Sequence, residues 1–289
     1  RKPLATAGGN TLDPEKMHAC RMQREKPGGH TERSVAIGTI EVACWDAVAK
    51  IAGEPLYRVL SKKYNKNRQL TKIPCYVGGG WYQPGKGLRE LLDEIRGRLD
   101  EGYRTMKIKV GGAHIPEDVK RVEAAIKVVK SSDHLAVDAN GAFDRARALA
   151  YAKALAPFEV RWFEEPCDPL DYALLADVAH DYEPALATGE NLFSTQDLQN
   201  LVSYGGLRSD RDILQPDIPQ SYGIVQFART LAMLERRGWK RKSVFPHGGN
   251  QMTLHTVGGF GLGGAEAYPG VFGPFAGFAD DAEVDNGWL

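Results

Sequence analysis

From about Ser34 to Lys50 the run SVAIGTIEVACWDAVAK places apolar side chains at helical intervals, and Gly53 with Pro55 then stops it. A second helix is predicted over PLYRVLSKKY and a shorter one near Pro14 to Arg24, so the first seventy residues read as helical. After KNRQL the pattern changes. Short β-rich runs now alternate with amphipathic stretches to the end of the chain. The predicted strands are IPCYV, TMKIKV, LAVDA, VRWFEE, ALATG, DILQPD, SVFPH and a short AEAY. Helical segments such as GLRELLDEIRGRLDEG, PEDVKRVEAAIKVVK and SYGIVQFARTLAMLERRG lie between them. This alternation predicts an α/β fold of the TIM type, a (β/α)7β barrel, rather than an open doubly wound sheet.

Three acidic residues close successive strands at equal intervals: Asp138 in LAVDANG, Glu164 in RWFEEPCDP and Glu190 in ALATGEN. One strand plus its returning helix spans about that length, since a βαβ unit takes ~30 residues. The spacing therefore puts three carboxylates at the same end of three consecutive parallel strands. Three hard oxygen donors gathered there suit a divalent cation such as Mg²⁺.

The other strand ends carry chemistry as well. Tyr82 and Gln83 follow the first strand, Lys107 and Lys109 end the second, and Asn140 follows Asp138. Asp217, His247 and Glu266 stand at the last three ends. In a TIM barrel these ends form the catalytic face. Lys107 and Lys109 leave one face of their strand, because Met106, Ile108 and Val110 take the other toward the helices. A lysine pointing into the mouth beside a cation, and withdrawn from water, is a candidate general base. His247 next to Asp217 is a candidate acid, with the carboxylate fixing the tautomer and favouring the charged ring. His18, His114, His134, His180 and His255 are taken as structural. Gly259, Gly261 and Gly264 spell GxGxxG, but too little chain follows to build a dinucleotide-binding unit. These glycines are expected to allow close packing.

Composition narrows the partners. Lysine plus arginine equals aspartate plus glutamate at 37 each, so no bulk charge draws nucleic acid or an anionic membrane. No apolar run reaches the ~20 residues of a membrane helix. Cys20, Cys44, Cys75 and Cys167 are scattered without a CxxC, which fits reduced thiols in a cytoplasmic protein. With that neutral balance, any binding of an anion must be local.

The KxK pair, the Asp/Glu/Glu triplet, the Asp–His dyad and the helix motif ACWDAVAKIAGEPLYRVL together resemble the enolase superfamily, in its mandelate racemase-like branch. Shorter segments, EKPGGHTERSVA, VGGGWYQPGKG, GENLFS, PHGGNQM and GLGGAEAYPG, are similar to those of its tartrate-dehydrating members. The resemblance implies Mg²⁺ on Asp138, Glu164 and Glu190, a base at Lys109 and an acid at His247. It also implies substrate contacts at Lys26, Glu266 and the Tyr82–Gln83 turn, with Asn140 alongside and Lys107 helping to stabilise the charged intermediate. The expected activity is dehydration of a small polyhydroxy carboxylate, D-tartrate to oxaloacetate. A racemase or epimerase at the same site is the alternative, and an inactive acid-sugar-binding barrel a further one. By the same resemblance residues 1–70 are the helical part of a capping domain, 71–275 the catalytic barrel and 276–289 a segment returning toward the cap. Capping strands that precede these helices in the family, and its last segment, are absent, so the chain is expected to be a piece of a longer protein. The branch implies a homo-oligomer.

Overall fold

In the computed structural model, which describes residues 12–271, 277–279 and 282–289, the amino-terminal apolar run folds as helix α2 (Glu32–Ala52) between α1 (Pro14–Arg21) and α3 (Leu56–Tyr64). Gly53, at φ 64°, ends α2 in the left-handed conformation that glycine adopts without strain. The alternating region follows as β1 (Cys75–Gly79), α4 (Leu88–Asp100), β2 (Thr105–Lys109), α5 (Ile115–Val129), β3 (Leu135–Asp138) and α6 (Arg145–Leu155). It continues as β4 (Phe163–Glu164), α7 (Tyr172–Asp181), β5 (Leu186–Thr188), α8 (Thr195–Tyr204), β6 (Ile213–Leu214), α9 (Ile224–Arg236), α10 (Gln251–Phe260) and β7 (Ala265–Ala267). Asp144, Asp171, Ser194 and Asn250 cap α6, α7, α8 and α10 by accepting a first-turn N–H.

All strand pairs are parallel, in the order β6-β5-β4-β3-β2-β1-β7. The predicted strand SVFPH shrinks to one bridge, Val244 to Leu214. Pro246 has no N–H for a ladder, which keeps the pairing short. That bridge still closes the ring. Phe245 N–H donates to the Leu214 carbonyl at 2.9 Å, and Gly263 N–H to the Val244 carbonyl at 2.9 Å, joining β6 to the entry of β7.

Inside the ring Tyr76, Ala136, Trp162, Ala187 and Phe245 form a buried layer of alternating large and small side chains. The rings of Tyr76 and Trp162 lie 5.1 Å apart and those of Trp162 and Phe245 5.6 Å apart. This layer plugs the barrel as side-chain layers do in TIM folds. Met106, Ile108 and Val110 are buried in the main core on the other side of β2.

The helical segment is fastened to the barrel by a buried carboxylate. Glu41 of α2 accepts the Ile224 and Val225 N–H groups of α9 at 2.7 and 2.9 Å and the Trp45 indole N–H at 2.8 Å. A Cβ on Gly223, the residue before α9, would meet Glu41 Oε2 at 2.2 Å, so only glycine fits there. Burial pushes Glu41 up to about 7. Close packing explains two of the GxGxxG glycines: a Cβ on Gly259 would stand 2.8 Å from Leu60 Cβ, and one on Gly264 2.7 Å from the Phe245 ring, while Gly261, at φ 73°, ends α10 in the left-handed conformation. At the other end of the barrel Leu289 and Ile73 exchange N–H···O bonds of 2.8 and 2.9 Å. The predicted boundary at residues 275 and 276 lies outside the described residues, as do residues 1–11 of the predicted capping part.

Candidate active site

The register of β2, β3 and β4 brings the predicted residues to one level. Lys109 is the Cα partner of Asp138, and Asp138 that of Glu164. Inward alternation on β2 aims both lysines at these carboxylates. Lys107 Nζ lies 2.5 Å from Glu164 Oε1, 2.7 Å from Glu266 Oε1 and 3.6 Å from Asp138 Oδ2. Lys109 Nζ lies 2.5 Å from Asp138 Oδ2. Burial works against the Lys107 charge, yet Glu164 and Glu266 outweigh it and hold its pKa well above the ordinary lysine value. The same balance acts in reverse on Asp138 and Glu266: burial raises each, and the facing cations pull each below the usual carboxylate range.

Glu164 has both oxygens engaged by donors: Lys107 on one, the Trp162 indole (2.8 Å) and the Gln215 amide (2.7 Å) on the other. Burial and the charges of Asp138, Glu190 and Glu266 push it up, against Lys107. Three N–H donors leave no acceptor for an acid proton, so the surroundings favour the carboxylate. Its neighbour Glu165, held by Asn191 at 3.0 Å, is raised to about 8 by burial and by Glu190.

Across the mouth His247 Nδ1 sits 2.9 Å from Asp217 Oδ2, while Nε2 faces Glu190 Oε2 at 3.8 Å. Burial alone would lower this histidine. The Asp217 hydrogen bond and the charges of Glu266 and Glu190 outweigh it and raise its pKa to about 9. Asp217 is itself steadied by the Gln220 backbone and side-chain N–H groups, each at 2.9 Å.

As these side chains stand, no three His, Cys, Asp or Glu residues among the described ones form a metal-holding group; the lysine ammonium groups contact Asp138 and Glu164 instead. Glu190 Oε2 is buried without a hydrogen-bond partner among the described residues. A buried carboxylate oxygen lacking a donor, in a mouth that also holds Asp138, Glu164 and Glu266, is a fit place for a cation.

Other predicted residues take different places. Asn140 supports Asp138 from behind, through its backbone N–H at 2.8 Å and its amide at 3.4 Å. The Tyr82 hydroxyl bonds Asp118, and Arg121 covers its ring at 3.9 Å, so this side chain is committed to α5 rather than to the carboxylates. Gln83 is exposed and its carbonyl receives the Lys86 N–H. Lys26 is exposed, on a turn tied down by Arg33 through the carbonyls of Lys26, Gly28 and Gly29. That turn is joined to the barrel by His30, whose Nδ1 meets the Tyr222 hydroxyl at 2.8 Å. Gln215 and Tyr268, which supports Glu266, were not singled out by the sequence. Alternation would have found them, since each lies two residues from a residue that was, Asp217 and Glu266.

The model of the enolase C-terminal domain-like family matches residues 90–276. The chain belongs to that family. Within the enolase superfamily it falls in the mandelate racemase-like branch. It is 30% identical over 229 residues to the L-talarate/galactarate dehydratase of Salmonella typhimurium, covering 78% of this chain and 54% of that protein. It is 32% identical over 231 residues to the 3,6-anhydro-alpha-L-galactonate cycloisomerase of Streptomyces coelicolor, covering 80% and 59%. The chain thus spans little more than half the length of these relatives. The crystal structure of L-talarate dehydratase from Polaromonas, complexed with Mg and L-glucarate, superposes with a TM-score of 0.79 at 26% identity, over 96% of this chain and 73% of that one. The seven-stranded closed sheet is accordingly the TIM-type barrel of this superfamily. Among the described residues no helix is long and apolar enough to cross a membrane.

Proposed function

We propose that the protein containing this chain is a Mg²⁺-dependent dehydratase of small polyhydroxy carboxylates, with D-tartrate, giving oxaloacetate, as the specific substrate. The observation that carries this reading is the pair of proton carriers on opposite sides of one mouth: Lys109 against Asp138, and His247 on Asp217. The relatives named as acid-sugar dehydratases and the Mg-bound neighbours support it.

Asp138, Glu164 and Glu190 are the residues assigned to hold the ion, which supplies a Lewis acid for carboxylate oxygens as they gain charge. Only the neutral amine is a base, so Lys109 must leave Asp138 and give up its ammonium proton to solvent before it acts. The amine then takes the proton α to the substrate carboxylate, and the electron pair passes into an enediolate. Lys107, buried and kept charged, donates toward the oxygens where that charge accumulates. His247, protonated at neutral pH, passes its Nε2 proton to the β-hydroxyl as the C–O bond breaks. Water leaves, and the enol tautomerises to a 2-keto acid. A positioned base or acid contributes about 10²–10⁴-fold.

The same two residues on opposite faces of one carbon would also serve a racemase, which separates cleanly by product. Incubating stereoisomeric acid sugars, D-tartrate among them, with Mg²⁺ in D₂O should give a 2-keto acid with deuterium at the carbon that bore the β-hydroxyl, where the enol is reprotonated. Deuterium at the α-carbon with total hydroxy acid unchanged would replace dehydration by racemisation. Neither keto-acid formation nor α-carbon exchange with any acid tested would overturn both. EDTA should abolish turnover and Mg²⁺ restore it.

A further inference from the structure

A second cluster of charge lies at the opposite, amino-terminal pole of the barrel. Arg104 and Thr105 at the start of β2, His134 just before β3 and Arg161 just before β4 line one cavity of about 500 Å³. Phe245 and Trp288 give it apolar walls, and Tyr76 of the aromatic plug lines it too. Neither guanidinium comes within ion-pair distance of a carboxylate among the described residues. Arg104 donates Nε to Asn286 Oδ1 at 2.7 Å and Nη1 to the Tyr103 carbonyl at 3.3 Å. Arg161 donates Nη1 to the Asp133 carbonyl at 3.2 Å and lies over the rings of Trp162 and Phe245 at 5.4 and 5.8 Å. The Nη2 of each is left without a protein acceptor among the described residues. Tyr76, only 2% exposed, likewise keeps a buried hydroxyl with no hydrogen-bond partner among them.

Two guanidinium groups, each with its Nη2 free of a protein acceptor among the described residues, stand beside aromatic walls, an arrangement suited to an anion with an apolar body. Surface arginines are common, but these two share a cavity, and half-buried Arg161 has no close counter-charge. Burial lowers its pKa, with Asp133 opposing the shift only from a distance. We propose that this cavity is a binding site for a small organic carboxylate, gripped by Arg104 and Arg161 with its apolar part against Phe245 and Trp288. The site is separate from the proposed reaction, and its test needs no turnover.

Benzoate is the probe, with inorganic phosphate as the counterpart lacking an apolar body. Each is titrated into the full chain in EDTA, followed by tryptophan fluorescence and by thermal unfolding. Benzoate should bind saturably and raise the unfolding temperature. Arg104→Gln and Arg161→Gln should each weaken binding by about tenfold or more. Glu190→Gln, at the other pole, should leave it unchanged. No saturable binding, affinity in both arginine variants unchanged from the unsubstituted chain, loss in Glu190→Gln, or tighter binding of phosphate than of benzoate would each overturn the assignment. Arg161 is stacked on core rings, so if Arg161→Gln fails to fold, the exposed Arg104→Gln decides alone.

Discussion

The two poles of this barrel treat positive charge differently. At the carboxyl-end mouth Lys107 meets Glu164 and Glu266 at 2.5 and 2.7 Å, and Lys109 meets Asp138 at 2.5 Å. At the amino-end pole Arg104 and Arg161 meet carbonyls, an amide and aromatic rings, with no carboxylate at ion-pair distance among the described residues. The layer of Tyr76, Trp162 and Phe245 lies between. A buried ion pair holds its partners because removing one strands the other. An ammonium that leaves its carboxylate can go on to lose a proton and become an amine, whereas a guanidinium stays charged and can only gain an anion. The first arrangement suits proton transfer and the second suits binding.

The sharpest break of that contrast is Lys109→Ala. It should lower loss of the substrate α-proton by about 10²–10⁴-fold or more, measured by NMR in D₂O with Mg²⁺ present, while benzoate binding at the far pole stays as it was. Unchanged loss of that proton would remove Lys109 from the role of base.

Next in size is the effect of pH. His247 is raised to about 9, so its acid form persists through neutral pH and is lost as pH climbs past that value. Turnover should therefore fall on the alkaline side near pH 9. Asp217→Asn withdraws the carboxylate that favours the charged ring, so the alkaline limb should move to lower pH. An unmoved limb in the pH–rate profile would show that another group donates the proton.

Glu41→Ala disturbs both poles through the scaffold. It leaves three buried N–H donors without their acceptor, and each such loss costs ~1–3 kcal/mol. A decrease of at least about 3 kcal/mol in unfolding free energy, read from denaturant titration, is expected. The smallest effect belongs to Tyr82→Phe. It removes one hydrogen bond to Asp118, so stability should drop by about 1 kcal/mol and turnover with Mg²⁺ should change little. A large loss of turnover would return Tyr82 to the substrate site.

Periodicity in the sequence carried the barrel and the strand ends. Apolar alternation on β2 was enough to turn Lys107 and Lys109 inward, because Met106, Ile108 and Val110 had to face the helices. What alternation does not encode is which partner lies across the ring. Glu164 touches Lys107 of β2 and Gln215 of β6, and those distances follow only from closure. The bond from Tyr82 to Asp118 was hidden for the same reason. A turn residue is free of strand alternation, and Asp118, its partner, lies in α5, where an acid at a helix start looks like an ordinary capping charge. Val244 shows the opposite limit. The run around it has strand composition, but Pro246 leaves the neighbouring backbone to close the barrel with single bonds on either side.

The fork at Glu41 has a practical consequence. A fragment beginning at residue 71 would contain every strand of the ring, but its α9 would start with two amide hydrogens facing an emptied hollow where the α2 carboxylate had been. The sequence can be cut there on paper. The folding unit cannot, because one end of a barrel helix is completed by a side chain from the segment being removed.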